Sequence, residues 1–185
     1  MALVRATIFL LPLGRSAGFP SRAKHGLTHV NSDKQPTMVD VTDKAITDRT
    51  AVARSIVRFP AGILASLRQD AELMSKKGPV LTTAILAGVM GAKKTSDLIP
   101  FCHPLALNDC KVTLHVQDDN TLHIHCAVKC TGRTGVEMEA LTGASIAALC
   151  VYDMCKALSH DLVIQETRLL AKTGGKAPFL HKEPQ

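Results

Sequence analysis

TGRTGVEMEALTGASIAALCVYDMCKALS, residues 131–159, is the stretch around which the rest of the chain can be arranged. Thr134 and Glu137 stand at the S/T-x-x-E spacing of a capping box, which predicts an N-cap at Thr134 and a helix from near Gly135. From Ala144 to Cys155 the frankly polar side chains are Ser145 and Asp153. A helix lying on a surface carries a polar stripe every 3.6 residues. This segment has none, so it is expected to be covered on nearly all sides. Asp153 and, three residues on, Lys156 then stand out, because charges in such a setting are kept when they are paired or used.

Outward from the helix, residues 161–170 (DLVIQETRLL) alternate Leu162 and Ile164 and close on Thr167, Leu169 and Leu170, the pattern of a last strand. On the other side, residues 110–117 put Cys110, Val112, Leu114 and Val116 on one face and Lys111, Thr113, His115 and Gln117 on the other. Asp118-Asp119-Asn120 reads as a turn. Leu122, Ile124, Cys126 and Val128 continue the apolar face, giving a hairpin with one solvated side. His115, His123 and His125 share that solvated side. A polar sheet surface is the simple reading and a metal cluster the alternative.

Residues 51–59 (AVARSIVRF) read as a strand of imperfect alternation, with Val52, Ile56 and Val57 among its apolar positions. Pro60 opens a helix in which Ile63, Leu64, Leu67, Ala71 and Met74 keep helical spacing, until Lys76-Lys77-Gly78-Pro79 ends it. Residues 80–96 contain β-branched residues that suit a strand. Their length, and a small-residue face of Ala84, Ala87, Gly88 and Gly91, favour a second helix. His103, between Pro100 and Pro104, belongs to a stiff extended loop. The order strand, helix, helix, hairpin, helix, strand predicts an α+β fold with helices packed on one face of a sheet.

Composition limits the function classes. Aromatic residues are 3% of the 185 and Trp is absent, which argues against modules that stack bases on exposed rings. Four of the six net positive charges come from Arg5, Arg15, Arg22 and Lys24, before any acidic residue, so the body carries no nucleic-acid footprint. Residues 1–26 are Arg-containing, acid-free and rich in small residues, the pattern of a mitochondrial transit peptide and a matrix destination. A secretory signal is the rival, its apolar run shortened by Pro12 and Arg15. Residues 27–50 read as a flexible arm, 51–176 as the domain, and 177–185 as a tail. No apolar run approaches a membrane span of roughly 20 residues. The six cysteines form no C-x-x-C pair and read as buried reduced thiols.

The chemistry-bearing residues gather in a few places. Asp153 and Lys156 could be a local i, i+3 ion pair, but in a covered helix a carboxylate beside a lysine suits acid–base work. Glu137 doubles as the capping acid. Glu139 has no such structural duty. Glu139 and Asp153 are 14 residues apart, roughly 21 Å along a helix at about 1.5 Å per residue, too far for one small-molecule site in one subunit. If both act, the site is assembled across an interface. Lys77, Lys93, Lys94, Lys172 and Lys176 are each ordinary surface lysines, yet together with His103 they would suit a polyphosphate. The G-x-x-x-x-G-K-[ST], G-x-G-x-x-G and G-x-S-x-G motifs are absent.

LTHV (27–30), MVDV (38–41), KKG (76–78), DLIPFCHPL (97–105), TGVEMEALT (134–142), YDMCKA (152–157) and LLAKTGGK (169–176), in this order, resemble the molybdenum cofactor biosynthesis protein C family. Its members are cyclic pyranopterin monophosphate synthases. The resemblance implies a substrate of cyclised dihydroguanosine triphosphate, supplied by a separate radical SAM GTP cyclase. It also implies ring opening, formation of a pyranopterin with a cyclic phosphate, and release of pyrophosphate, an early step of molybdenum cofactor biosynthesis.

It further implies a ferredoxin-like antiparallel sheet and a hexamer built as a trimer of dimers, with sites at the dimer interface. By motif, Asp153, Lys156 and Lys77 match catalytic positions. Phe101, Cys102, His103, Met138 and Glu139, with Glu137 adjacent, match substrate-binding segments, and Arg49 matches a phosphate-holding arginine. No redox cofactor is implied and no dedicated metal site. Mg²⁺ could accompany the triphosphate. Phe101 replaces a smaller aliphatic residue, and the family's G-D-F ending is missing after Gly175. The rival reading is a catalytically silent oligomer that binds a nucleotide or pterin phosphate.

Overall fold

The computed structural model describes residues 35–182. The expected leader at 1–26, the first part of the arm and the last three residues lie outside the described residues. In chain order the elements are β1 (Thr47–Arg58), α1 (Ile63–Leu67), β2 (Arg68–Gln69), β3 (Glu72–Ser75), β4 (Gly78–Pro79), α2 (Val80–Lys93), α3 (Thr95–Leu98), β5 (Asp109–Val116), β6 (Thr121–Gly132), α4 (Glu137–Cys155), β7 (Val163–Thr173) and β8 (Phe179–Leu180).

The fold is α+β. One antiparallel sheet runs β5-β6-β1-β7-β8, and a second, small one runs β2-β3-β4. With α2 between β1 and β5 and α4 between β6 and β7, the long elements follow β-α-β-β-α-β, the split arrangement in which both helices cover one sheet face.

The β5–β6 hairpin forms as its alternation predicts. Val112, Ile124, Cys126 and Val128 are buried. Asn120 takes the left-handed turn position at φ 62°, and the Asp119 carboxylate accepts from the Thr121 amide at 3.2 Å. β1 begins at Thr47, inside the segment read as an arm, and buries Ala51, Ala53, Ser55 and Val57. Val52 and Ile56 therefore face the other way, correcting the apolar set expected for this strand. The small inward residues leave room for α4.

The same economy governs the helix pair. A Cβ on Gly91 would lie 2.8 Å from Ile146, and one on Gly143 would lie 2.5 Å from the Cys126 sulfur. Glycine at these positions lets α2, α4 and the sheet approach closely, as the small-residue face implied for α2.

Other expectations fail. The helix expected over residues 60–77 stops at Leu67. Two tight reversals follow, with Asp70 at φ 53° and Gly78 at φ 109°, and Leu73 is buried where helical spacing had placed Met74. Glu72 is taken out of this segment to cap α2. One carboxylate oxygen accepts from the Leu81 amide at 2.7 Å and the other from the Thr82 amide at 3.0 Å, satisfying first-turn donors. Burial pushes its carboxyl upward, but the bonds from Leu73, Leu81 and Thr82 outweigh that and hold it below the usual carboxylate range.

The capping box of α4 does not form either. Its N-cap is Val136, and the Thr134 hydroxyl is buried without a hydrogen-bond partner. Glu137 instead reaches Lys172 at 2.8 Å.

Finally, α4 is not covered all round. Its inner side, including Ala140, Ala144, Ala147, Ala148 and Val151, is buried, while Met138 and Leu149 are exposed. By length and composition this 19-residue helix is apolar enough to cross a membrane, contrary to the expectation that no run would qualify, but half of it is buried inside the fold. It is built as a core helix with one open apolar side.

Candidate active site

The two ends of α4 carry two separate groups of polar residues. At the C-terminal end the Asp153 carboxylate receives Lys77 Nζ at 2.7 Å on one oxygen and Lys156 Nζ at 2.9 Å on the other. Lys77 also donates to the Asp153 carbonyl at 2.8 Å. The tight β3–β4 reversal delivers Lys77 to this position, with its own amide donating to the Ser75 hydroxyl at 3.1 Å. The hydrogen bond from Lys77, then that from Lys156, holds the Asp153 carboxyl down at about 2. Asp153 in turn raises the Lys156 ammonium above its ordinary value. All three side chains are about half exposed in this chain, which corrects the expectation of a partly buried carboxylate. The arrangement is a fixed carboxylate between two ammonium groups, open to whatever covers it.

At the N-terminal end lies a cavity of about 380 Å³ lined by Phe101, Cys102, His103, Glu137, Met138 and Glu139. The stiff loop from 99 to 105 sets His103, whose Nε2 lies 2.9 Å from the Val39 carbonyl. Glu139 is buried, and that burial, with the nearby Glu137 charge, pushes its carboxyl above the usual range. Burial, with a smaller contribution from Glu139, also raises the Cys102 thiol. These groups offer a carboxyl with an elevated pKa, a thiol and an imidazole around an apolar hollow, a set suited to gripping a polar heterocycle.

A second cavity of about 750 Å³ adjoins it and shares Lys44, Thr134, Gly135, Glu137 and Lys176. Its walls add Arg49, Arg133 and Lys172, so five cations converge against a single carboxylate, and that carboxylate is paired with Lys172. Arg49 is held by its Nε donating to the Gly132 carbonyl at 3.0 Å. It packs against the Gly174-Gly175 reversal, where a Cβ on Gly175 would lie 2.5 Å from the Arg49 guanidinium. Point charges at Lys and a fork at Arg, close together in a hollow, suit a polyphosphate.

The structure thus gathers Phe101, Cys102, His103, Glu137, Met138, Glu139 and Arg49 at one end and Lys77, Asp153 and Lys156 at the other. Lys93 joins neither group; it sits exposed in the last turn of α2 and lines neither cavity. Lys44 and Arg133 were missed. Neither shares a periodic face with another charge, and only the pairing of β1 with β6 and the return of β7 bring them together. The three histidines do meet on the outer sheet face, with ring centroids of 6.1 and 6.5 Å around His125. Burial, then the charges of His115, Arg54 and His123, holds His125 down at about 4. Among the described residues no group of three or more His, Cys, Asp or Glu is arranged to hold a metal ion.

The chain matches the MoaC family over residues 38–175. It is 55% identical over 150 residues to the cyclic pyranopterin monophosphate synthase of Xanthomonas axonopodis pv. citri, covering 81% of this chain and 90% of that protein. It is 49% identical to the molybdenum cofactor biosynthesis protein 1 of Dictyostelium discoideum, again over 81% of this chain but 26% of that longer protein. It is also 49% identical to a molybdenum cofactor biosynthesis bifunctional protein of Synechocystis, over 44% of that protein. The matched span holds every residue of both polar groups except Lys176: this chain belongs to the MoaC family.

Proposed function

We propose that the chain is a cyclic pyranopterin monophosphate synthase. It converts (8S)-3',8-cyclo-7,8-dihydroguanosine 5'-triphosphate to cyclic pyranopterin monophosphate and pyrophosphate, in an early step of molybdenum cofactor biosynthesis. The observation that carries the reading is a five-cation hollow of about 750 Å³ joined to a smaller, mostly apolar one of about 380 Å³, in a chain similar over most of its length to a synthase of that name.

The five-cation hollow holds the triphosphate and neutralises the leaving pyrophosphate. His103, Glu139 and Cys102 hold the base-derived ring. Asp153, ionised between its lysines, accepts protons during ring opening, and Lys77 and Lys156 return them. Hydrolysis and phosphate closure exchange no electrons, so no redox cofactor enters. Mg²⁺ travels, where it is present, with the triphosphate. The substrate comes from a radical SAM enzyme acting on GTP.

The catalytic lysines and the substrate hollows lie at opposite ends of α4, so a complete site takes its two parts from two copies. The outer face of α2 and α4 supports this, since Leu86, Met90 and Leu149 are exposed there and would be covered in a dimer. Three such dimers make the hexamer we infer. Residues 1–26 carry it to the mitochondrial matrix. A fusion of these residues to a reporter that stayed in the cytosol would remove that assignment.

The test of function is direct. Purified residues 27–185, mixed with the cyclised GTP, should release pyrophosphate and cyclic pyranopterin together. Binding without either product would replace the enzyme by a silent binder.

A further inference from the structure

The end of the chain turns back on the cationic hollow. Gly174 and Gly175 take positive φ of 77° and 74°, which reverses the strand within two residues. β8 then runs antiparallel to β7, pairing Lys172 with Phe179 and Ala171 with Leu180. The His181 amide donates to the Leu170 carbonyl at 2.6 Å, and the Arg168 guanidinium lies 2.7 Å from His181 Nε2. The segment is therefore anchored beyond the hollow as well as before it. Between the anchors, Ala177, Pro178 and Phe179 form part of the hollow's wall, with Phe179 on the strand beside Lys172.

The chemistry of this wall is unlike the rest of the hollow. Residues 176–182, KAPFLHK, contain no acid that could compete for the cations. Phe179 is 43% exposed at an edge strand, in a chain with only five Phe, one Tyr and no Trp. Its backbone pairing does not require an aromatic side chain, and the core does not use it. An apolar wall on one side of a cationic hollow does have a use. It displaces water from beside the bound anion and its cations, and Coulomb attraction rises as the local dielectric falls.

We propose that residues 177–181 are the closing wall of the polyphosphate hollow, and that Phe179 is a substrate contact that tightens binding of the triphosphate end and of pyrophosphate. The proposal rests on the reading of the five-cation hollow as the polyphosphate site.

Inorganic pyrophosphate is the probe, titrated by calorimetry into the full chain, into Phe179→Ser, and into a chain ending at Lys176. Phe179→Ser keeps the β8 backbone, so its result does not depend on the truncated chain folding well. The expected result is a Kd for pyrophosphate raised about fivefold in Phe179→Ser, the scale of one lost apolar wall contact, and raised further in the truncation. KM for the substrate should rise in parallel while kcat stays within about twofold, as removal of uniform binding requires. Lys172→Ala, measured alongside, tests the hollow itself. If Lys172→Ala weakens pyrophosphate binding while both tail variants bind as the full chain does, the wall has no role. If none of the three weakens it, the hollow reading falls and the wall proposal with it.

Discussion

Asp153 is held by two ammonium groups from different parts of the chain, and its titration follows from that. Its carboxyl sits at about 2 in the fold, against about 3.9 in an unfolded chain. A depressed carboxylate contributes its pairing above the unfolded value and loses it as pH falls toward the folded one. Between pH 5 and 9 Asp153 stays ionised, so no inflection in kcat there should belong to it. Asp153→Asn and Lys156→Ala should each lower turnover by about 10²-fold or more, the usual loss of an acid–base group, with sedimentation unchanged. Near-normal turnover in both would remove the roles given to them. Glu139 behaves in the opposite sense. Its folded pKa is raised by burial, so it costs stability once pH rises above the unfolded carboxylate value. Glu139→Gln should therefore melt higher than the native chain at pH 8, with the difference vanishing near pH 4, while it loses activity. A melting point lowered equally at both pH values would contradict this. The Asp153–Lys156 neighbourhood was legible in the sequence because i, i+3 spacing is local. The meeting of Lys77 with Asp153 was not legible from spacing, since 76 residues separate them, and only the family resemblance grouped the two.

The elements that position these residues depend on a few tight contacts. Glu72 caps α2 from outside the helix, so Glu72→Ala should cost about 0.5–2 kcal/mol, the range of a lost cap, read from urea unfolding. Gly143 has a larger effect for its size. A methyl there meets the Cys126 sulfur beneath α4, and Gly143→Ala should destabilise by about 1–3 kcal/mol, as overpacking does. A change under about 0.3 kcal/mol would mean that the helix can lift off the sheet freely. The hairpin of β5 and β6 was readable because every second residue obeys its period on both sides of the turn, from Cys110 to Val116 and from Leu122 to Val128. Residues 60–77 were not. Their strands are two to four residues long, their direction is set by Asp70 and Gly78 at positive φ, and the spacing of Ile63, Leu64 and Leu67 imitates a longer helix. The apolar character of α4 was legible, and the single chain accounts for half of it. One side meets the sheet and α2, and the other is exposed and belongs, in the proposed assembly, to a second copy.

At the scale of the whole molecule the account rests on distance. Glu139 and Asp153 stand roughly 21 Å apart along one rigid helix, so neither polar group can complete the other within a chain. Sedimentation of the full chain at micromolar concentration should give an oligomer, and a monomer would remove the shared site. A sharper test uses two inactive variants, His103→Ala at the N-terminal hollow and Lys156→Ala at the C-terminal group, unfolded together and refolded as a mixture. Each mixed dimer would then hold one site with both defects and one with neither, so activity should return to about a quarter of the native value, as random pairing in a two-fold assembly dictates. Mixed oligomers that form and yet stay as inactive as either parent would contradict the claim that two copies build one site.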